Sequence, residues 1–402
     1  MQCLISRTNP ASDATHVPSI EMTPATPLNS LGQPLRAAHA RIPAEISSSA
    51  DYERHAVHHI EAQAWRHIQG GCDQERGLAH NRQAFDRLRL LPAPMADLRG
   101  GHTRLDLLGQ TLAHPLLIAP LAYQALAHAE GELASVRAAM ALQAGYLAST
   151  LSSHRLEEIA AAAHAARDEL GQGAPLWFQL YSQPTREHSL ALVRRAEAAG
   201  YEAIVWTVDA SVKRSGFALP SGVEAANLHG YPSLRQTSQA GARTIILGTP
   251  LADAAPSLDE LAWLRASTQL PLIVKGVLNP RLAREAVAHG ADALVISNHG
   301  ARVLDGVVSP LEVLPSIRQS LPATPLLLDS GVRWGTDAVK ALALGANAVL
   351  LGRPVLHALA VAGMLGVAHL LHLLRTELEL AMAQLGCATL EQLGPDCLWN
   401  NS

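Results

Sequence analysis

Cysteine is scarce in this chain. Its 402 residues hold four, Cys3, Cys72, Cys387 and Cys397, widely spaced and forming no CxxC pair. They read as reduced thiols of a cytoplasmic protein. Charge of one sign is lacking too. The formal net charge is −4, which gives no basic field for nucleic acid. There is no uninterrupted apolar stretch of about 18 residues, so no membrane span is expected. Segment 355–374 comes closest, but His357, His369 and His372 interrupt it. The N-terminal MQCLISRTNPASD has no apolar signal core. What the chain does have is 48% hydrophobic and 16% charged residues, the balance of a soluble globular protein with a large core. The length suits one large domain with an N-terminal extension, or two smaller domains.

Eight short apolar runs carry the most information: 115–123, 145–150, 176–181, 203–209, 271–277, 293–300, 325–331 and 348–354. Each is too short for a lone helix and apolar on both faces, as a strand buried on both sides of a parallel sheet must be. Segments 131–145, 185–200, 279–291 and 335–346 lie between runs, are Ala/Leu-rich with helix-type spacing, and carry a Gly near their C-terminal end. Eight strand–helix units in a row predict an α/β fold, a (β/α)8 TIM barrel with its core at about 113–355.

Around that barrel, residues 1–45 are rich in Pro, Ser, Thr and Ala and read as a disordered or loosely draped tail, leaving 46–395 as the barrel domain. Residues 50–90 read as an N-terminal helical segment, with Asp51 as N-cap and the turn GGCDQERG at 70–77 dividing it. About sixty residues separate the fourth run from the fifth, rich in Gly, Ser and Pro, and read as a lid or substrate loop. The last helical stretch, 355–386, is expected across the outside or bottom of the barrel.

In such a barrel the chemistry sits at the C-terminal ends of the strands. Those ends supply Tyr181, Thr207, Asp209, Lys275, His299, Asp329 and Arg353, a concentration that packing does not require. The seventh and eighth ends, DSGVRWG (329–335) and LGRP (351–354), each set an Arg beside a Gly before a helix, where backbone N–H groups, helix dipole and guanidinium can face a phosphate. In SNHGAR (297–302), His299 can act as a base and Arg302 can bind a carboxylate, a combination suited to an α-hydroxy acid. Asp209 can orient the imidazole, and Lys275 can stabilise negative charge on a reduced flavin or an enolate. HAVHH (55–59), with His369 and His372, reads as solvated helix faces rather than a metal site, and Trp206 as core. His154 is either a pocket residue or a solvated loop residue.

The motifs VISNHGARVLDG, LLLDSGVRWGTDAVKALALGANAVLLGRP, PLIVKGV, WFQLYS, IAPLAYQALAHAEGE and WTVDA, with NRQAFDRLRLLP near the start, occur in order over about residues 50–395. Together they resemble the FMN-dependent α-hydroxy-acid oxidases and dehydrogenases, the family of glycolate, lactate and mandelate oxidases. The resemblance implies FMN as cofactor and oxidation of an (S)-2-hydroxy acid to the 2-oxo acid. His299 would take the hydroxyl proton while two electrons leave the α-carbon for the flavin. Asp209 would pair with His299. Tyr181, Arg302 and His67 would hold the substrate. Lys275 would stabilise the reduced flavin. Pro120, Leu121, Ala122, Ser152, Gln179 and Thr207 would lie along the flavin ring, Asp329 and Ser330 by the ribityl chain, and Gly331, Val332, Arg333, Gly352 and Arg353 at the phosphate. A homo-oligomer, tetramer or octamer, is implied as well.

Three positions depart from the family pattern. His67, in WRHIQGG, stands where the family has a carboxylate-binding Tyr. SVKRSG replaces the Arg-rich turn after TVDA, leaving Lys213 or Arg214 to substitute. Leu121 replaces a Thr near the flavin. Ala122 and a long loop without a membrane insertion favour O2 as acceptor, giving H2O2, over a quinone-linked dehydrogenase. A flavin-binding protein without turnover, motivated by His67 and the lost turn, is the alternative from another class. A type-2 isopentenyl-diphosphate isomerase would explain the phosphate loops but not SNHGAR.

Overall fold

The computed structural model describes residues 27–210, 219–232, 247–248 and 250–399. Three short helices come first: α1 (Ser49–Ala56), α2 (Ala62–Gln69) and α3 (Arg76–Arg87). The cap of α1 is Ser48, not Asp51. Asp51 sits in the first turn, and its carboxylate accepts from the Ser48 hydroxyl at 2.7 Å. GGCDQERG does form the turn between α2 and α3. A second break, at 57–61, divides the segment into three helices rather than two. Residues 27–45 contain no helix or longer strand. They lie along the domain through isolated bridges and through Arg36 and His39 amides that donate to the His58 and Val361 carbonyls.

Strand β1 (Arg89–Leu90) pairs antiparallel with the C-terminal β12 (Leu398–Trp399). β2 (Leu105–Leu107) and β3 (Gln110–Leu112) form a hairpin. The eight apolar runs then become β4 (Leu116–Ile118), β5 (Gly145–Ser149), β6 (Leu176–Leu180), β7 (Ile204–Thr207), β8 (Leu272–Val277), β9 (Ala293–Ile296), β10 (Leu326–Leu328) and β11 (Ala348–Leu351). All pair in parallel and close into one barrel, β11 returning to β4. The helices that follow them are α4 (Gly131–Leu142), α5 (Leu156–Leu170), α6 (Arg186–Ala198), α7 (Leu258–Ser267), α8 (Pro280–Ala288), α9 (Pro310–Ser320), α10 (Gly335–Ala343) and α11 (Arg353–Gln384).

Alternation along the strands makes two cores. Leu117, Leu147, Trp177, Val205, Ile273, Val295, Leu327 and Leu350 fill the barrel interior. Leu107 and Leu112 of the β2–β3 hairpin join them, and Trp177 Nε1 donates to Gln110 Oε1 at 3.3 Å, so the hairpin closes the N-terminal end. Neighbours such as Leu116, Ile118 and Phe178 face outward against the helices. The barrel interior is therefore packed, and the cavity that gathers the strand-end residues lies at its C-terminal end.

α11 is long and apolar enough to cross a membrane, but it is mostly buried against the barrel and packs on α1, α4 and α10. Non-helical φ/ψ at Ala362 and Gly363 kink it. HAVHH is not a solvated helix face. α1 ends at Ala56, and His59 is buried, its Nδ1 3.1 Å from the Arg36 carbonyl oxygen; burial is the main cause that pushes it down to about 4. His369 is likewise engaged, its Nδ1 2.9 Å from the Tyr52 hydroxyl, while His372 is exposed. Residues 211–218, 233–246 and 249 of the long loop after β7, Lys213 and Arg214 among them, lie outside the described residues.

Candidate active site

β8 ends in Lys275-Gly276-Val277, with a break in register between Lys275 and Val277. Gly276 has φ +108°, and a Cβ there would lie 2.5 Å from Asp209 Cγ, so glycine is what lets the Asp209 carboxylate in. Asp209 Oδ1 is 2.9 Å from His299 Nδ1. That contact holds the Nδ1–H tautomer and leaves Nε2 to face the cavity, 3.3 Å from the Tyr181 hydroxyl. Gly300 meets a similar limit. Its φ is +64°, and a Cβ would sit 3.0 Å from an Arg353 guanidinium nitrogen.

Lys275 Nζ lies 2.8 Å from Asp329 Oδ2 and donates to Ser297 Oγ at 3.0 Å. Burial pulls the ammonium down, but the Asp329 and Asp209 carboxylates outweigh it and Lys275 stays above its ordinary range. Burial likewise pushes Asp209 up. The facing His299, their hydrogen bond and Lys275 outweigh that, so the carboxyl lies below its usual range. Burial, then Asp209, raises Tyr181 and keeps it a neutral hydroxyl.

Arg302 and Arg353 grip the C-terminal end of α2. Arg302 donates to the carbonyls of His67 at 2.6 Å and Gly70 at 2.9 Å; Arg353 donates to Ile68 at 2.9 Å, Gly70 at 3.0 Å and Gly300 at 3.1 Å. These carbonyls have no partner within the helix, so cations complement them. Burial pushes both Arg302 and Arg333 below their ordinary range. Burial, with repulsion from Arg333 and Arg302, takes Arg353 down to about 9. Near these three half-buried cations the carboxylates are few, Glu53 being the one felt by both Arg333 and Arg353.

One cavity open to solvent brings most of the expected residues together: His67, Pro120, Leu121, Ala122, Tyr181, Thr207, Lys275, His299, Arg302, Asp329, Ser330, Gly331, Val332, Arg333, Gly352 and Arg353. Three expected residues do not line it. Asp209 stands behind His299. Gln179 stands behind Thr207 and Ser149, donating to Thr207 Oγ1 at 3.0 Å and accepting from Ser149 Oγ at 3.2 Å. Ser152 is turned away altogether; its hydroxyl donates to the His154 carbonyl at 2.7 Å, and Ser149 takes the wall position. The cavity also gains Tyr123, Leu151 and Leu219, which sequence reasoning missed. Tyr123 was visible at the end of the first apolar run, where its ring now meets that of His67 edge-on at 6.3 Å. His154 does not line the cavity, and Trp206 is core, its Nε1 donating to Ser182 Oγ at 3.0 Å.

The donor set fits FMN. Arg333 and Arg353 are half-buried cations short of anions, and a Cβ on Gly352 would meet nothing within 4 Å, so a phosphate has both charge and room there. Asp329, Lys275 and Thr207 continue the polar wall toward His299. Fold and site thus define a flavin-dependent barrel oxidoreductase.

The chain belongs to the FMN-dependent dehydrogenase family, which matches residues 56–400. It is 50% identical to an L-lactate oxidase of Alicycliphilus denitrificans, over 89% of this chain and 98% of that one. It is 42% identical to a 4-hydroxymandelate oxidase of Amycolatopsis orientalis, over 85% and 94%. A mandelate oxidase variant solved with (S)-mandelic acid superposes with a TM-score of 0.77 at 40% identity, covering 88% of this chain and 98% of that structure. The protein is an FMN-dependent oxidoreductase that converts the CH–OH of a 2-hydroxy acid to the 2-oxo acid.

Proposed function

We propose that the substrate is an (S)-2-hydroxy acid with a small apolar side chain, L-lactate first among them, and that O2 is the acceptor, giving H2O2. The observation that carries the chemistry is the His299–Asp209 pair at 2.9 Å, with Nε2 toward a cavity that also holds Tyr181, Arg302 and Lys275. Leu121, Leu151 and Leu219 supply apolar wall for the side chain, and the 50% identity to an L-lactate oxidase supports a small one.

FMN, when bound, supplies the two-electron acceptor. His299 Nε2 takes the substrate hydroxyl proton, and Asp209 stabilises the resulting imidazolium. One Arg302 nitrogen is committed to α2 carbonyls, which leaves its other N–H donors for the substrate carboxylate. The Tyr181 hydroxyl, 3.3 Å from Nε2, holds the substrate oxygen in line. Lys275 balances the negative charge that reduction brings. Arg333 and Arg353, with Gly331 and Gly352, would hold the phosphate.

A panel of glycolate, L-lactate, L-mandelate and long-chain 2-hydroxy acids tests this by anaerobic bleaching of the flavin's visible band. Fast bleaching by L-lactate, followed by recovery and peroxide on admitting air, is the expected result. Preference for mandelate would replace the small side chain with an aryl group. A flavin that no acid bleaches would leave only a binding protein. A homo-oligomer, tetramer or octamer, and a cytoplasmic location belong to the same proposal. Free thiols at Cys72, Cys387 and Cys397 support the location.

A further inference from the structure

The loop that carries His299 has an unusual backbone. His299, Gly300 and Ala301 are all left-handed, at φ +58°, +64° and +61°. Only glycine adopts this region at no cost, so two of the three residues are strained, and such strain persists only where the surroundings impose it. Each of the three amides donates to a side-chain oxygen: His299 N to Ser297 Oγ at 2.9 Å, Gly300 N to Ser330 Oγ at 2.9 Å, and Ala301 N to Asn298 Oδ1 at 3.1 Å. Asn298 is in turn held by a reciprocal amide pair with Asn81 of α3. Asn81 Nδ2 donates to Asn298 Oδ1 at 3.0 Å, and Asn298 Nδ2 donates to Asn81 Oδ1 at 2.7 Å. Both amides are buried.

We infer that Asn81 is a positioning residue for the base: it fixes the Asn298 amide, which fixes the left-handed turn, which aims His299. The inference rests on the reading of His299 as the base. An amide pair suits the task because each partner both donates and accepts, so neither ring of bonds can be exchanged without leaving a buried group unpaired. The next residue, Arg82, does the corresponding work for the other loop. Its guanidinium donates to the Gly331 carbonyl and to Asp337, whose carboxylate accepts from the amides of Arg333 at 2.9 Å and Trp334 at 3.1 Å. Adjacent residues on one turn of α3 thereby hold the base loop and the phosphate loop in a common register. Neither Asn81 nor Arg82 lines the main cavity.

The test compares Asn81→Ala, Asn81→Ser, Asn298→Ala and the Asn81→Ala/Asn298→Ala double variant with the wild type, all purified with FMN. Expected are flavin contents within twofold of wild type and reduction rates per bound flavin lower by about 10- to 100-fold, the cost of misplacing a reacting group by roughly 1 Å. The double variant should be no slower than the slower single, because both changes break one pair. Amide exchange of the 297–303 peptide, measured on the flavin-free protein, should rise in each variant. Arg82→Ala is the contrast: it should lose flavin while the molecules that keep it reduce at a near wild-type rate. A merely structural role would lower melting temperature and flavin content and leave the rate per flavin unchanged, and that result would overturn the inference. Unchanged exchange at 297–303 in the Ser and Ala variants would overturn it too. If the wild type is bleached by no hydroxy acid, the reading of the base fails, and the exchange measurement still decides whether Asn81 anchors the loop.

Discussion

Lys275 and Asp329 face each other across β9, from β8 and from the end of β10, with Nζ 2.8 Å from Oδ2 and side chains only 5% and 11% exposed. The same ammonium donates to Ser297 Oγ, which also accepts from the His299 amide. One cation thus ties three strand ends around His299. Lys275→Met would leave Asp329 buried without its partner. Removing one member of a buried pair costs about 3–5 kcal/mol. Urea denaturation of the flavin-free protein should show a loss of that order, and flavin reduction should slow in whatever remains folded. A variant as stable as wild type would mean that Asp329 is hydrated in solution.

His299→Ala should keep the yellow flavin, because Arg333 and Arg353 are untouched, and should reduce it about 10²–10⁴-fold more slowly, the range for a general base. Stopped-flow reduction at saturating substrate measures this, and a near wild-type rate would reject the assignment.

Asp209 adds a pH signature. Its carboxyl is held below the ordinary value of 3.8, chiefly by His299 against the effect of burial. A depressed carboxyl stabilises the fold above the unfolded value and loses that contribution as pH falls through the lower folded value. Below about pH 4 the stability gap between wild type and Asp209→Asn should therefore close as pH falls. Chemical denaturation at a series of pH values reads the gap; one that widens as pH falls would reverse the sign.

Arg333 and Arg353 are half-buried cations that repel one another, so an anion should relieve both. Inorganic phosphate should raise the melting temperature of the flavin-free wild type, and the increment should vanish in Arg333→Ala/Arg353→Ala. That double variant should also purify colourless. Full flavin occupancy in it would remove these loops from the phosphate site.

The barrel was legible because strands buried on both faces leave apolar runs that nothing else in the chain imitates. Each of the eight runs became a barrel strand. The site was legible at strand ends, where residue type announces chemistry. It was less so one turn further on. Ser149, the last residue of β5, keeps the strand's alternation and faces the cavity. By Ser152 the chain has turned, and no periodicity says which way a hydroxyl points. The grip of Arg302 and Arg353 on α2 depends on residues more than two hundred positions apart, and local pattern carries no sign of it. The break after α1 was hidden for another reason: HAVHH keeps helical spacing through a turn that tertiary contacts impose, with His59 buried beside the ring of His39.

His67 carries the last prediction. It closes α2, lines the cavity, and presents its ring edge-on to Tyr123 at 6.3 Å. Its carbonyl accepts from Arg302 at 2.6 Å, which ties the end of α2 to Arg302. A tyrosine at this place would offer a neutral hydroxyl at every working pH. An imidazole offers a charged donor at low pH and a neutral ring at high pH. If it contacts the substrate carboxylate, affinity should fall as pH rises, because the neutral ring has lost a charge-assisted hydrogen bond. His67→Tyr should flatten that dependence and strengthen binding at the alkaline end, with the rate of reduction at saturation little changed. The concentration dependence of flavin reduction, taken at each pH, separates binding of the substrate from the rate of its oxidation. An unchanged binding profile in both His67→Tyr and His67→Ala would show that Arg302 and Tyr181 hold the carboxylate without it.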